Sequence, residues 1–262
     1  MLDDAARALA GGGAVAFTGA GMSAEAGIPT FRDPGGVWER FDPDVYGTWE
    51  GLARASLERP DGVAAFLAEL RRVFARARPT PGHHALARLE DDGLLDAVVT
   101  QNVDGLHQEA GSRRVVEIHG SFSRLVGLVC SHREEIGRQR FVEALDRAMT
   151  GLRSGFVSSL GAILPRCSID GAPMRPDFVA FGEPPQAFEE ADDLVRAARV
   201  LLVVGTSGEV FPAAELPERA RAAGAVVVEV GRGETRVPAD VRLDGDAGVI
   251  LPALADAVPR DA

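Results

Sequence analysis

Residues 14–32 read Ala14-Val15-Ala16-Phe17-Thr18-Gly19-Ala20-Gly21-Met22-Ser23-Ala24-Glu25-Ala26-Gly27-Ile28-Pro29-Thr30-Phe31-Arg32, and this stretch decides the fold. The apolar run 14–17 predicts a short buried strand. Gly19 and Gly21 let the backbone turn sharply and come close to a ligand. Residues 22–26 have helix-forming character. Strand, glycine turn and helix start in succession aim free backbone N–H groups and the positive helix end at an anion, most often a pyrophosphate. A bare Gly-x-Gly corner serves geometry alone as readily as it serves a ligand. The continuation Gly27-Ile28-Pro29-Thr30-Phe31-Arg32 tips the reading, because a rigid proline, an aromatic ring and an arginine suit a loop that closes over a cofactor.

Three more apolar runs repeat the strand signal, at Leu95–Thr100, 200–205 and 225–230. The first runs into Gln101-Asn102-Val103-Asp104 and the second into Gly205-Thr206-Ser207. Helical patterns at 61–78, 188–198 and 213–223 lie between them. Strands alternating with helices predict an α/β fold, a Rossmann-like doubly wound parallel sheet whose ligands sit beyond the strand C-terminal ends. The motif-bearing loops then converge on one crevice within a single catalytic domain spanning 1–262. Two stretches break the rhythm. Residues 33–80 open with Trp38, Phe41, Tyr46 and Trp49 and read as a cofactor-loop and helical module. Residues 125–178, with Cys130 and Cys167 near their ends and a helical middle at 134–150, read as a small inserted module.

Composition narrows the chemistry. Hydrophobic residues make up 46% of the 262, enough for a substantial core. The formal net charge of −11 argues against nucleic acid or anionic lipid as partner. All 28 basic residues are arginine, so neither a Schiff-base lysine nor a Walker lysine is available. Two cysteines are too few for a disulfide framework and suggest a reducing compartment. The acidic start Met1-Leu2-Asp3-Asp4 lacks signal-peptide character, and no apolar run reaches the roughly 20 residues of a membrane span. A cytoplasmic protein is the expectation.

Gln101, Asn102 and Asp104 group two amides and a carboxylate suited to a carboxamide or a ribose; the same residues also suit a helix cap. His119, beside Gly120 after the strand-like run 115–118, is placed for general-base work near neutral pH, although a lone histidine is more often structural. His83 and His84 suit capping or surface roles, and His107 packs in the helix after Asp104. Glu229-Val230-Gly231 ends a strand where an acidic side chain commonly meets a ribose hydroxyl.

In this order, the motifs Gly19–Ser23, Gly27–Arg32, Thr100–His107, His119-Gly120, Phe181-Gly182-Glu183 and Gly205–Ala214 resemble the sirtuin family of NAD-dependent protein lysine deacylases. The resemblance covers about residues 10–255. It implies NAD as co-substrate, an acylated-lysine protein or peptide as partner, and nicotinamide, the deacylated lysine and O-acyl-ADP-ribose as products. It further implies that Gly19, Ala20, Gly21 and Ser23 cradle the NAD phosphates opposite Gly205, Thr206 and Ser207. Phe31 and Arg32 would belong to a loop shielding the reactive ribose. Gln101 would hold the nicotinamide ribose, Asn102 and Asp104 would orient the carboxamide, and His119 with Asn102 would be the catalytic pair. Residues 178–183, with Val179, Phe181, Gly182 and Glu183, would offer an extended edge onto which the peptide adds. A monomer is expected.

The chain also departs from that family. The small module usually binds zinc through two Cys-x-x-Cys pairs, but here they read Cys130-Ser131-His132-Arg133 and Cys167-Ser168-Ile169-Asp170. The broken spacing favours a metal-free, degenerate zinc-ribbon-like module, with an Arg133–Asp170 ion pair in place of the metal. Cys130, His132, Cys167 and Asp170 are the weaker alternative as ligands. Thr30 and Gly208 look like the branch that removes succinyl groups, yet Leu67 and Leu70 stand where that branch carries Tyr and Arg. An apolar pocket cannot compensate a buried carboxylate, so acetyl or longer neutral acyl groups are expected. A slip of one residue would instead bring Arg71 to the pocket. Gly231 stands where an asparagine commonly touches the adenosine ribose, leaving Glu229 or Arg232 to compensate. Two other readings remain open at this point: an ADP-ribosyltransferase or NAD hydrolase, and a non-catalytic NAD or ADP-ribose sensor.

Overall fold

In the computed structural model, residues 1–29, 37–153 and 165–259 are described. Thr30, Phe31 and Arg32 lie outside the described residues. Nine strands form among those described: β1 Ala14–Thr18, β2 Leu95–Thr100, β3 Val115–Glu117, β4 Gly120–Gly127, β5 Arg133–Glu135, β6 Met174–Phe178, β7 Val200–Val204, β8 Val226–Gly231 and β9 Val241–Asp244. Six of them make one parallel sheet in the order β3-β2-β1-β7-β8-β9. This is the doubly wound order, with its reversal between β1 and β7.

The sheet is buried on both faces, which explains its near-continuous apolar strands. Side chains alternate along a strand. Thus Ala14 and Ala16 join Leu86, Leu89, Leu202, Val228 and Leu251 on one face, while Val15 and Phe17 join Val99, Leu201, Val203, Leu216 and Val227 on the other. β9 escaped the sequence reading because Val241-Arg242-Leu243-Asp244 is a short, half-polar edge strand.

The turn after β1 becomes a 3-10 helix over Ala20–Ala26, closed by Gly27 in the left-handed region at φ 79°. Its glycines meet backbone. The N–H of Gly21 donates to the carbonyl of Gly205 at 2.8 Å, and that of Gly19 to Val204 at 2.9 Å. A Cβ on Gly21 would lie 2.7 Å from the Cα of Gly205.

Helices Val37–Arg40, Pro43–Tyr46, Trp49–Glu58 and Pro60–Arg76 build the helical module. The small module is the antiparallel sheet β5-β4-β6 with helix Gly137–Arg153, and it begins at Gly120 rather than at 125. The two modules share a core. Phe74 from the first packs with Leu125, Ile136, Phe141, Leu145, Cys167 and Met174 of the second, and Leu67 and Leu70 press against this cluster. Each large apolar side chain buried there contributes about 2 kcal/mol.

The expected Arg133–Asp170 pair is not what forms. Arg133 Nε donates to Asp177 Oδ2 at 2.8 Å, while Asp170 accepts from the N–H of Ala172 at 2.9 Å. Asp177 is the stronger attractor because it is 1% exposed and already bound by Arg124 Nε at 2.7 Å and Gln186 Nε2 at 2.9 Å. Burial alone would raise its pKa, but these three donors hold it below the usual carboxylate value. No helix among the described residues is long and apolar enough to cross a membrane.

Candidate active site

Loops from four strand ends meet at the topological reversal. Asn102 Nδ2 reaches back to the carbonyl of Gly19 at 3.0 Å and to Ser23 Oγ at 3.2 Å. Ser23 Oγ donates to Asp104 Oδ2 at 2.7 Å, and the other Asp104 oxygen accepts the N–H of Leu106 at 2.9 Å. Asp104 therefore braces the first N–H of helix Leu106–Ala110, whose N-cap is Gly105, and anchors the glycine turn at once. Burial pushes its carboxyl up, and the bonds from Leu106 and Ser23 oppose that. On the other side, Gln101 Nε2 donates to Thr206 Oγ1 at 3.0 Å and ties the β2 loop to the β7 loop.

His119 closes the third side. Its Nδ1 lies 3.1 Å from the carbonyl of Gln101. A carbonyl only accepts, so Nδ1 carries the proton and Nε2 keeps its lone pair. Burial lowers the pKa of His119, with the Gln101 bond a smaller opposing effect, and the ring stays neutral at pH 7. A neutral imidazole with a free Nε2 can act as a general base.

Whether the crevice suits an anionic dinucleotide is tested by its backbone. Among the described residues, the N–H groups of Thr206 and Ser207 have no protein acceptor. Gly205, by contrast, donates to Val230 and sits in the left-handed region at φ 61°. Free N–H groups beside glycine turns are what a pyrophosphate needs. The residues fit the group. A cleft of about 430 Å3 lined by Arg113, Arg114, Glu117, Arg124, Arg133 and Gln186 includes none of these loop residues.

Beneath the crevice runs a polar spine that the sequence reading missed. Asn102 N–H donates to Thr100 Oγ1 at 3.0 Å, Thr18 Oγ1 donates to Thr100 Oγ1 at 2.8 Å, and His107 Nε2 lies 3.0 Å from Thr18 Oγ1. The His107 ring packs on His83 with centroids 4.8 Å apart. Both histidines are buried. Desolvation lowers the pKa of His83 to about 4 and that of His107 well below the usual value. Thr80 and His83 form the reciprocal cap of helix Pro81–Asp91, whereas His84 is exposed. The signal for this spine was present: two apolar strands both end in threonine, at the paired positions Thr18 and Thr100.

The substrate candidates fare unevenly. The edge expected at 178–183 begins in β6, which runs to Phe178. The N–H of Val179 goes to the carbonyl of His119, that of Phe181 to Gly47 at 2.9 Å, and that of Ala180 to Glu183 Oε2 at 2.8 Å. Gly182 turns the chain at φ 86°, and Glu183 also accepts from Trp49 Nε1. The N–H groups of Val179, Ala180 and Phe181 thus have internal partners in this structure. Near Gly231, Glu229 is buried and held by Thr235 Oγ1 and Arg242, while Arg232 pairs with Asp246. Neither side chain is unpaired beside Gly231.

The cysteine module offers a donor set. Cys130 Sγ, Cys167 Sγ and an Asp170 carboxylate oxygen all lie within 4.8 Å of one another, with the sulfurs 3.4 Å apart. His132 is not part of this group. Tetrahedral zinc with sulfurs at about 2.3 Å separates two of them by about 3.8 Å, so these three donors fit one face of such a site.

The Sir2 family model matches residues 19–212. An NAD-dependent protein deacylase of Desulfosudis oleivorans is 41% identical over 263 residues, covering 99% of this chain and 96% of the relative. A solved complex of a Sir2 homologue with NAD superposes with a TM-score of 0.78 at 32% identity, covering 98% of this chain and 93% of that one. The structure of Sir2Af2 bound to a myristoylated histone peptide covers 98% of this chain and 95% of its own, with a TM-score of 0.71 at 33% identity. Sequence, sheet order and loop geometry agree, and the chain belongs to the Sir2 family of NAD-dependent protein lysine deacylases.

Proposed function

We propose that this deacylase removes acetyl or longer neutral acyl groups in preference to succinyl, with His119 as its general base. The observation that carries the acyl preference is Arg71. It turns away to Asp146, Nε to Oδ1 at 2.5 Å, while Leu67 and Leu70 face the shared apolar core. A succinyl carboxylate brought against those leucines would lose its hydration without a partner. The Sir2 relative solved with a myristoylated peptide lends further support to a long apolar acyl chain.

NAD, when bound, supplies a glycosidic bond that releases nicotinamide and leaves an electrophilic ribose carbon for the acyl oxygen. Asn102, braced by Gly19 and Ser23, and Asp104, braced by Ser23, would orient the carboxamide. Gln101, fixed by Thr206, would hold the ribose, and Gly19, Ala20, Gly21, Gly205 and Ser207 would line the phosphates. His119 Nε2 would take a proton from a ribose hydroxyl, its ring aimed by the Gln101 carbonyl. Phe31 and Arg32 keep the loop role that the family resemblance implies. The low cysteine count supports a cytoplasmic setting, and the net charge of −11 supports a monomer without a nucleic-acid partner.

The test is turnover of one lysine peptide carrying acetyl, myristoyl or succinyl groups, with NAD, following nicotinamide and O-acyl-ADP-ribose by mass spectrometry. Acetyl or myristoyl turnover well above succinyl is expected; comparable succinyl turnover would refute the pocket reading. Nicotinamide release without peptide would favour an NAD hydrolase, and no turnover at all a sensor.

A further inference from the structure

We propose that Gln186 is a positioning residue for the general base: its side chain pins the neck of a loop whose two ends clamp the backbone of His119. The inference rests on the reading of His119 given above. The loop leaves β6 at Val179 and returns at Gln186. At its start, the N–H of Val179 donates to the carbonyl of His119 at 2.9 Å. At its end, the N–H of Gln186 donates to the carbonyl of Ile118 at 2.8 Å. One carbonyl belongs to the peptide unit before the His119 Cα and the other to the unit after it. Each unit is planar, and only two soft dihedrals lie between them. Holding both units therefore fixes the direction in which the imidazole leaves the chain. The Gln101 carbonyl on Nδ1 then sets the ring.

The two ends of the loop are joined through Asp177, two residues before Val179. Gln186 Nε2 donates to Asp177 Oδ1 at 2.9 Å. Arg124 and Arg133 both use the other oxygen, Oδ2, so the two kinds of contact do not compete. Arg133 Nη2 reaches Gln186 Oε1 only at 3.5 Å. Asp177 in turn abuts the residue after the base. It pairs with Ser121 across β4 and β6, and a Cβ on Gly120 would overlap its carbonyl oxygen. Gly120 sits at φ 73°, with backbone against backbone and no adjustable side chain between. A drift of the loop neck thus passes directly into His119.

The role belongs to the chemistry more than to the fold. Gln186 is neutral and half-buried, and its removal leaves the ion pairs of Asp177 in place. A general base, by contrast, must hold its geometry closely, and misplacement by about 1 Å can cost two orders of magnitude in rate.

The experiment separates the two steps of the reaction. Nicotinamide release precedes the proton transfer to His119, so exchange of labelled nicotinamide into NAD, with acetyl-peptide present, reads the first step alone. Appearance of deacylated peptide reads both. Gln186→Met, close in shape but without the donor, should lower kcat for deacylation roughly tenfold. Its nicotinamide exchange and its KM values should stay within about twofold of wild type. Its thermal midpoint should fall by no more than about 5 °C. Gln186→Glu, which turns a carboxylate toward Asp177, should lose as much deacylation or more. Arg133→Ala keeps the Gln186–Asp177 bond and should turn over like wild type. His119→Ala is the reference, expected to lose deacylation and keep exchange. Full deacylation by His119→Ala would remove the base assignment and this inference with it. With that reference behaving as expected, wild-type deacylation in both Gln186 variants would overturn the proposal. So would equal loss of exchange and deacylation, the mark of a purely structural role, or a loss in Arg133→Ala as large as in Gln186→Met.

Discussion

His119 illustrates how one hydrogen bond assigns a residue its chemistry. The Nδ1–H donates to the carbonyl of Gln101, and burial keeps the ring neutral. His119→Ala is expected to lower kcat by at least about 100-fold, the usual worth of a positioned base. The wild-type acid limb of kcat/KM should lie below about pH 6.5, the unperturbed value, because the shift is downward. An acid limb above that value would contradict the assignment. The general-base role proposed for His119 was already suggested by a histidine beside a glycine at a strand end. The tautomer was not, since it depends on a carbonyl far away in sequence. Thr18, Thr100 and His107 show the same difference: each looks like an ordinary residue until the parallel register of β1 and β2 sets the threonines side by side.

Elements meet through backbone here as much as through side chains. The β1 and β7 loops touch at Gly21 and Gly205, and a Cβ on Gly205 would lie 2.4 Å from the N of Met22. That close approach explains glycines which, from sequence, looked reserved for the ligand. The β4–β6 junction depends on Asp177, buried between Arg124 and Arg133. Asp177→Ala should cost about 2–3 kcal/mol in denaturant unfolding, because it removes the buried acceptor shared by Arg124, Arg133 and Gln186, while Arg124 keeps Glu117 and Glu135. Arg133→Ala, at a more exposed group, should cost about 1 kcal/mol or less. Equal losses would show that the cluster is not organised around Asp177. Arg133 was expected in an ion pair and forms one, with Asp177. Its partner was missed because only the folded sheet brings β5 against β6 across β4.

Across the whole molecule, the buried pair His83 and His107 links stability to pH. His83 titrates near 4 when folded and near 6.5 when unfolded, so between these values the unfolded chain binds more protons. Stability should be full above about pH 6.5 and fall by roughly 3 kcal/mol from His83 alone as pH drops toward 4. Denaturant midpoints measured from pH 7.5 to 4.5 check this, and a flat profile would contradict it. By itself the sequence determined the α/β class, the four principal strands and the loops that carry the chemistry. These depend on local patterns, namely apolar runs, glycine turns and the residues directly after them. Only the tertiary structure decided which groups became partners: Arg133 with Asp177 instead of Asp170, Asp170 with the cysteines, and the N–H groups of 179–181 with internal acceptors. The physical reason is that an ion pair or hydrogen bond goes to whichever partner the packing leaves close and desolvated, and neither quantity is written in sequence spacing.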